Sequence, residues 1–210
     1  MIPRKIASTW RSIGRARERH RRTFGAVAVA ALCLLHACDE PSVAQFACPD
    51  PGTTYTISMP VAMSADPKFR FHVLISGRNG YDCHILSEAV GEYWLHAALV
   101  ERDRQKAWLA AAEELWPLKI GNKTHAYFLY GQEVWMVDYH VEKFEKFKAR
   151  VGTYDAYKVV GTLSVDGKLS STTTIWWAPA LKYTISYRHV RANDSGNRYW
   201  EIASFGDEDP

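Results

Sequence analysis

From residue 53 to residue 205, apolar and polar positions alternate with a period of two, broken at short intervals by Gly, Pro, Asn and Asp. This period puts one set of side chains on each face of a β-strand. In residues 68–76, KFRFHVLIS, Phe69, Phe71, Val73 and Ile75 share a face. Trp135, Val137, Tyr139 and Val141 do the same, and Tyr183, Ile185 and Tyr187 follow on a later strand. The pattern predicts strands over 53–59, 68–76, 83–87, 93–100, 125–130, 133–141, 154–165, 168–177, 183–187 and 197–205. Turn chemistry separates them: Arg78-Asn79-Gly80, Gly131-Gln132, Asp166-Gly167 and residues 193–196. A two-residue Asp-Gly loop favours the type I′ hairpin, because both central residues need positive φ.

One segment departs from the alternation. Trp108, Ala112 and Leu115 recur at helical spacing, which predicts a helix over 103–116. Asp103 is its expected N-cap, and Pro117 its stop, since proline lacks the N–H of the next turn. The expected fold is therefore mainly β (α+β): a curved antiparallel sheet or partial barrel meander, with one main helix packed on its apolar face.

The first forty residues read differently. A basic segment with eight Lys or Arg and one acid, Glu18, precedes an Ala-, Val- and Leu-rich run over residues 24–35. That is the pattern of a secretory signal peptide, and the run is shorter than the ~20 residues of a membrane-spanning helix. Leu35-His36-Ala37-Cys38 resembles a bacterial lipobox, which makes Cys38 the expected lipidation site. Cleavage at a nearby small residue such as Ala44 is the alternative. Arg21-Arg22-Thr23-Phe24 resembles the twin-arginine export signature. Asp39 after Cys38 resembles an inner-membrane retention signal. The expected division is a signal peptide at 1–37, a tether at 38–45 and one β-rich domain at 46–210. The expected location is the periplasm, anchored by lipid, with the inner membrane slightly favoured.

Removing the leader reverses the charge. The whole chain is +3, but residues 38–210 hold 18 basic and 22 acidic residues and are net negative. This excludes the electrostatic footprint of a nucleic-acid binder. Cys48 and Cys83 are then the remaining cysteines, and an oxidising compartment favours one bridge between them.

Three stretches carry a family resemblance: Leu115-Trp116-Pro117-Leu118-Lys119-Ile120-Gly121, Val151-Gly152-Thr153-Tyr154-Asp155-Ala156-Tyr157-Lys158, and Trp176-Trp177-Ala178-Pro179. In this order they resemble a bacterial lipoprotein domain of unknown function. Arg150-Val151 stands where the group has Pro-Ala, and Trp177 where it has Tyr. The resemblance implies a curved half-barrel like those of periplasmic lipoprotein carriers, whose concave face holds apolar groups. It implies no catalytic residue.

Candidate chemistry is sparse. Six histidines follow the leader (His72, His84, His96, His125, His140 and His189), without an H-E-x-x-H pair, so no metal site is expected. Asp138 and His140 share a strand face and have base–orienter spacing, which an exposed polar face explains equally well. Ser76-Gly77 lacks a G-x-S-x-G elbow, and no phosphate loop occurs. No cofactor is expected. The aromatics remain: Trp135, Trp176, Trp177, Tyr183 and Tyr187 are the candidate ligand-facing residues. Trp176 and Trp177 must fall on opposite strand faces. The expected role is non-catalytic: binding an apolar or glycan ligand, or an envelope protein, beside a membrane held through the N-terminal lipid. A hydrolase with an unrecognised site, or a subunit of an envelope complex, are the alternatives.

Overall fold

The computed structural model describes residues 43–59, 70–193 and 196–206. The leader, Cys38, Asp39 and Phe69 lie outside the described residues. Among the described residues, the domain is one antiparallel sheet of eleven strands with a single helix. The strands are β1 (Thr54–Ser58), β2 (Arg70–Asn79), β3 (Asp82–Ser87), β4 (Gly91–His96), β5 (Val100–Glu101), β6 (Lys123–Tyr130), β7 (Glu133–Ala149), β8 (Gly152–Val165), β9 (Lys168–Ala178), β10 (Tyr183–Arg191) and β11 (Arg198–Phe205). The helix α1 is Lys106–Glu114.

The spatial order is β5-β4-β3-β2-β1-β11-β10-β9-β8-β7-β6. Two meanders thus meet where the first strand pairs with the last, Tyr55 opposite Phe205 and Ile57 opposite Ile202. Strands β5 and β6 are the two edges. Helix α1 joins them in sequence and packs on β6, β7 and β4. A helix that touches strands from both ends of one sheet requires the sheet to curl around it. The expected curved, unclosed meander is what forms.

The core has two clusters. One gathers Ala111 and Ala112 of α1 and Leu115 at its C-cap against Val137, Tyr139, Val141, Val159 and Trp177. The other gathers Tyr55, Ile57, Val73, Ile75, Ile85, Ile185 and Ile202. Each fully buried Ile or Val here contributes about 1.5–3 kcal/mol. Ala44 exchanges two backbone hydrogen bonds with Leu118, at 3.1 and 2.8 Å, which ties this segment to the chain beyond α1. The Cys48–Cys83 disulfide, with Cα atoms 5.6 Å apart, fastens the same segment to β3.

Asp166 (φ 47°) and Gly167 (φ 75°) both adopt positive φ, as the type I′ hairpin requires. Asp166 also accepts a bond from the Val134 N–H at 2.9 Å, which ties that turn to the start of β7.

Three expectations are corrected. The helix begins at Lys106, three residues late, and Asp103 does not cap it. Residues 101–104 are used in the turn that leaves β5, where the Arg104 N–H bonds to the Glu101 carbonyl at 3.2 Å. Gln105 becomes the N-cap position, without a side-chain cap. The strand expected over 93–100 breaks after His96, because Ala97 (φ 50°) and Ala98 (φ 58°) take the left-handed conformation. That costs an alanine about 1–2 kcal/mol. Burial of both methyls beside α1, and a 3.0 Å bond from Trp116 Nε1 to the Ala97 carbonyl, offset the cost. Strand β7 runs past Val141 to Ala149, crossing a bulge between Val141 and Lys143.

Candidate functional site: a concave aromatic cavity

The curl leaves a cavity of about 1150 Å³ between the two arms of the sheet. The period-two pattern builds its wall. Trp135, Val137 and Tyr139 project from β7, Leu163 from β8, Ile175 from β9 and Tyr187 from β10. Trp108 enters from α1, Trp200 from β11, and Tyr93 and Leu95 from β4.

The rings are fixed by contacts among themselves. Trp108 Nε1 donates to Tyr139 Oη at 2.5 Å, and the Trp108 ring stacks on Phe128 at 5.9 Å. Tyr187 stacks on Trp200 (5.7 Å, 10° between planes) and lies parallel to His189 (6.5 Å, 7°). Gly161 has a specific task here. It lies opposite Tyr139 in the β7–β8 pairing, and an added Cβ would meet the Tyr139 ring at 2.7 Å. The missing side chain lets the ring lie flat across β8.

Electrostatics follow from burial. Desolvation holds the phenols of Tyr139 and Tyr187 above their usual pKa. It pushes that of Tyr93 up to about 12, with Glu101 adding to the rise. His189 is lowered, first by burial and then by Arg191 and Arg198, so it is neutral near pH 7. Its Nδ1 lies 3.0 Å from Thr173 Oγ1. Arg104, Lys168, Arg191 and Arg198 are exposed and stand around the mouth of the cavity. The arrangement is a mixed aromatic, aliphatic and hydroxyl lining with exposed cations at its rim; its volume is slightly above the usual ~300–1000 Å³ of small-molecule sites.

Of the candidate aromatics, Trp135, Tyr183 and Tyr187 line this cavity, and Trp176 and Trp177 do not. Trp177 is buried edge-on to Trp116 at 4.9 Å. Trp176, on the other face, stacks on Phe147 at 4.7 Å and donates to Glu145 at 3.1 Å. Sequence reasoning missed Trp108, Tyr93 and the four cations. Trp108 reads as a helix core residue, and cations at strand ends read as ordinary solvated surface.

Asp138 and His140 line a second cavity of about 380 Å³ with His125 and Lys123. Among the described residues no hydrogen bond joins Asp138 to His140. A different polar chain does form. Ser76 Oγ lies 2.6 Å from His84 Nδ1, and His84 Nε2 lies 2.6 Å from Glu92 Oε1, with the imidazole stacked on Trp94 at 4.4 Å. The composition matches a nucleophile–base–orienter set. These groups lie outside both cavities, on neighbouring strands with Ser76 and Glu92 exposed, and cross-strand pairing accounts for them. Among the described residues no group of three or more His, Cys, Asp or Glu is placed to hold a metal ion.

No family model matches the chain, and no curated protein matches it. Solved structures do. The hypothetical lipoprotein YmcC from Escherichia coli aligns over 77% of this chain and 86% of its own, at 11% identity and a TM-score of 0.44. A Bacteroides fragilis protein with a YmcC-like fold aligns over 78% of this chain and all of its own, at 10% identity and a TM-score of 0.42. The first is described as a hypothetical lipoprotein and the second as an exported protein. At such identities no residue role passes from them to this chain.

Proposed function

We propose that this chain is an exported envelope protein, anchored by lipid at Cys38, that binds an apolar or amphipathic small molecule in its concave cavity without chemistry on it. The observation that carries the reading is the wall of inward aromatic and aliphatic side chains around about 1150 Å³. Burying apolar ligand surface there gains roughly 25 cal/mol per Å². The leader and lipobox-like Cys38 support the anchor. Ala44 supports it too: it is buried and paired with Leu118, so cleavage there would strip a bonded residue from the domain. The test is titration of the full chain with the uncharged apolar dye N-phenyl-1-naphthylamine. Saturable fluorescence enhancement is expected, and Leu163→Arg, which places a charge on the cavity wall, abolishes it while the far-ultraviolet spectrum is retained. Equal enhancement by both proteins overturns the reading.

A second reading rests on strand β6. Tyr127, Leu129 and Tyr130 are exposed on this sheet edge, with Val134 beside them on β7, and a free edge suits pairing with another envelope protein. Leu129→Lys would break such a contact and leave dye binding intact.

A further inference from the structure

The mouth of the cavity is more specific than its wall. Strands β9, β10 and β11 bring three cations to one end of the sheet. Arg198 is directly opposite His189, Arg191 is two residues beyond His189 on the same strand, and Lys168 opens β9 after the Asp166-Gly167 turn. Arg104, from the turn before α1, adds a fourth from the opposite side. Arg104 is bonded to Glu101 at 3.0 Å. Among the described residues no carboxylate forms an ion pair with Lys168, Arg191 or Arg198, although Asp166 also lines the cavity. The fields of these groups converge inward: Arg191 and Arg198 both act on His189, and Arg198 and Arg104 both act on Tyr187. Next to the cations the lining is hydroxyl-rich, with Ser170, Ser171 and Thr173 on β9. Farther along, β9 turns apolar at Ile175, level with Tyr187 on β10 and Trp200 on β11, while Val137 and Leu163 flank the hydroxyls in the row of Ser171.

A cleft that is cationic and hydroxylated at its mouth and apolar beyond has the polarity of one molecule type. We propose that the ligand is an anionic amphiphile with a carboxylate or phosphate head, the head held by Arg191, Arg198 and Lys168 and the apolar tail lying along the aromatic wall. This deepens the binding function proposed above and rests on it. Arginine suits the head group, since its planar fork bonds two oxygens at once. Neutral His189 fits beside it, because a ring N–H then donates to the same head while Thr173 engages Nδ1.

The test compares cis-parinaric acid with its methyl ester, two fluorescent probes that share a tail and differ in charge. They are titrated into the full chain and into Arg191→Gln/Arg198→Gln. The acid is expected to bind wild type about tenfold tighter than the ester, the factor that a single charge-assisted hydrogen bond supplies. The double variant loses that preference, keeps its affinity for the ester, and melts at the wild-type temperature. Displacement by lauric acid and by dodecyl phosphate then ranks the two head groups. Equal affinity of wild type for acid and ester overturns the anionic head and leaves the apolar cavity standing. A preference for the acid that persists in the double variant also overturns it, since these arginines would not be its source. Binding of neither probe removes both the inference and the function beneath it.

Discussion

Gly161→Ala tests the packing that shapes the cavity wall. The residue is buried in β8 with ordinary strand backbone, so alanine meets no φ penalty. The difficulty is spatial. The new Cβ would lie 2.7 and 2.9 Å from Cε1 and Cδ1 of Tyr139, too close for carbon atoms. The ring must tilt, and its hydroxyl leaves Trp108 Nε1, now at 2.5 Å. Overpacking of this kind costs about 1–3 kcal/mol, and a lost buried hydrogen bond about 1 kcal/mol more. Replacing glycine within a strand returns about 0.5–1 kcal/mol through the unfolded chain. The net expectation is a loss of about 2 kcal/mol, or roughly 4–8 °C in Tm for a domain of this size. Calorimetry of wild type, Gly161→Ala, Tyr139→Leu and the double variant measures it. Removing the ring also removes the clash, so the double variant should be more stable than the sum of the singles by at least about 1 kcal/mol. Additive losses, or an unchanged Tm in Gly161→Ala, would refute the assigned contact.

Other outcomes follow from the same contacts. Cys48→Ser with Cys83→Ser opens a loop with a sequence separation of 35, which costs about 4 kcal/mol in the chain-entropy account and is read from urea midpoints. Asp82→Ala removes the buried partner of His96, 2.6 Å from its Nδ1, and should cost about 3 kcal/mol by the same assay; a loss below about 1 kcal/mol would show that the pair contributes little. Alkaline pH gives a signed test. Tyr93, Tyr139 and Tyr183 keep their protons above the usual phenol range because burial disfavours phenolate, whereas the unfolded chain ionises near pH 10. Their contribution is complete below pH 10 and is lost as pH rises from 10 toward 12, at about 1.4 kcal/mol per pH unit for each tyrosine, so thermal melts at pH 9 and pH 11 should differ sharply. Cys38→Ala should change the intact mass of protein taken from host membranes by removing acyl chains, and an unchanged mass pattern would remove the anchor.

Alternation is a strong signal wherever one face of a strand is buried, and it placed β6, β8 to β11 and the start of β7 within a few residues. It also put Trp135 and Tyr187 on the face that became the cavity. What it could not show was curvature. The meeting of β1 with β11, and the reach of α1 from β6 to β4, are long-range facts without a local pattern. Ala97 and Ala98 carry no turn signal, so the break after His96 is decided by packing under α1. The Arg104–Glu101 turn takes the residues that a local capping rule would give to the helix. Trp176 and Trp177 show the same limit: the sequence sets them on opposite faces, but the fold directs Trp177 into the core against Trp116 and Trp176 onto Phe147. The basic mouth was hidden because its members come from three strand ends and a turn, far apart in the chain.

The central claim is that the concave cavity holds an apolar ligand, and native mass spectrometry tests it most directly. The full chain is purified from its host envelope in mild detergent, in parallel with Leu163→Arg. The account predicts a bound small amphiphile on wild type, released on activation in the gas phase and missing from the variant. Wild type and variant with the same ligand-free mass would contradict it.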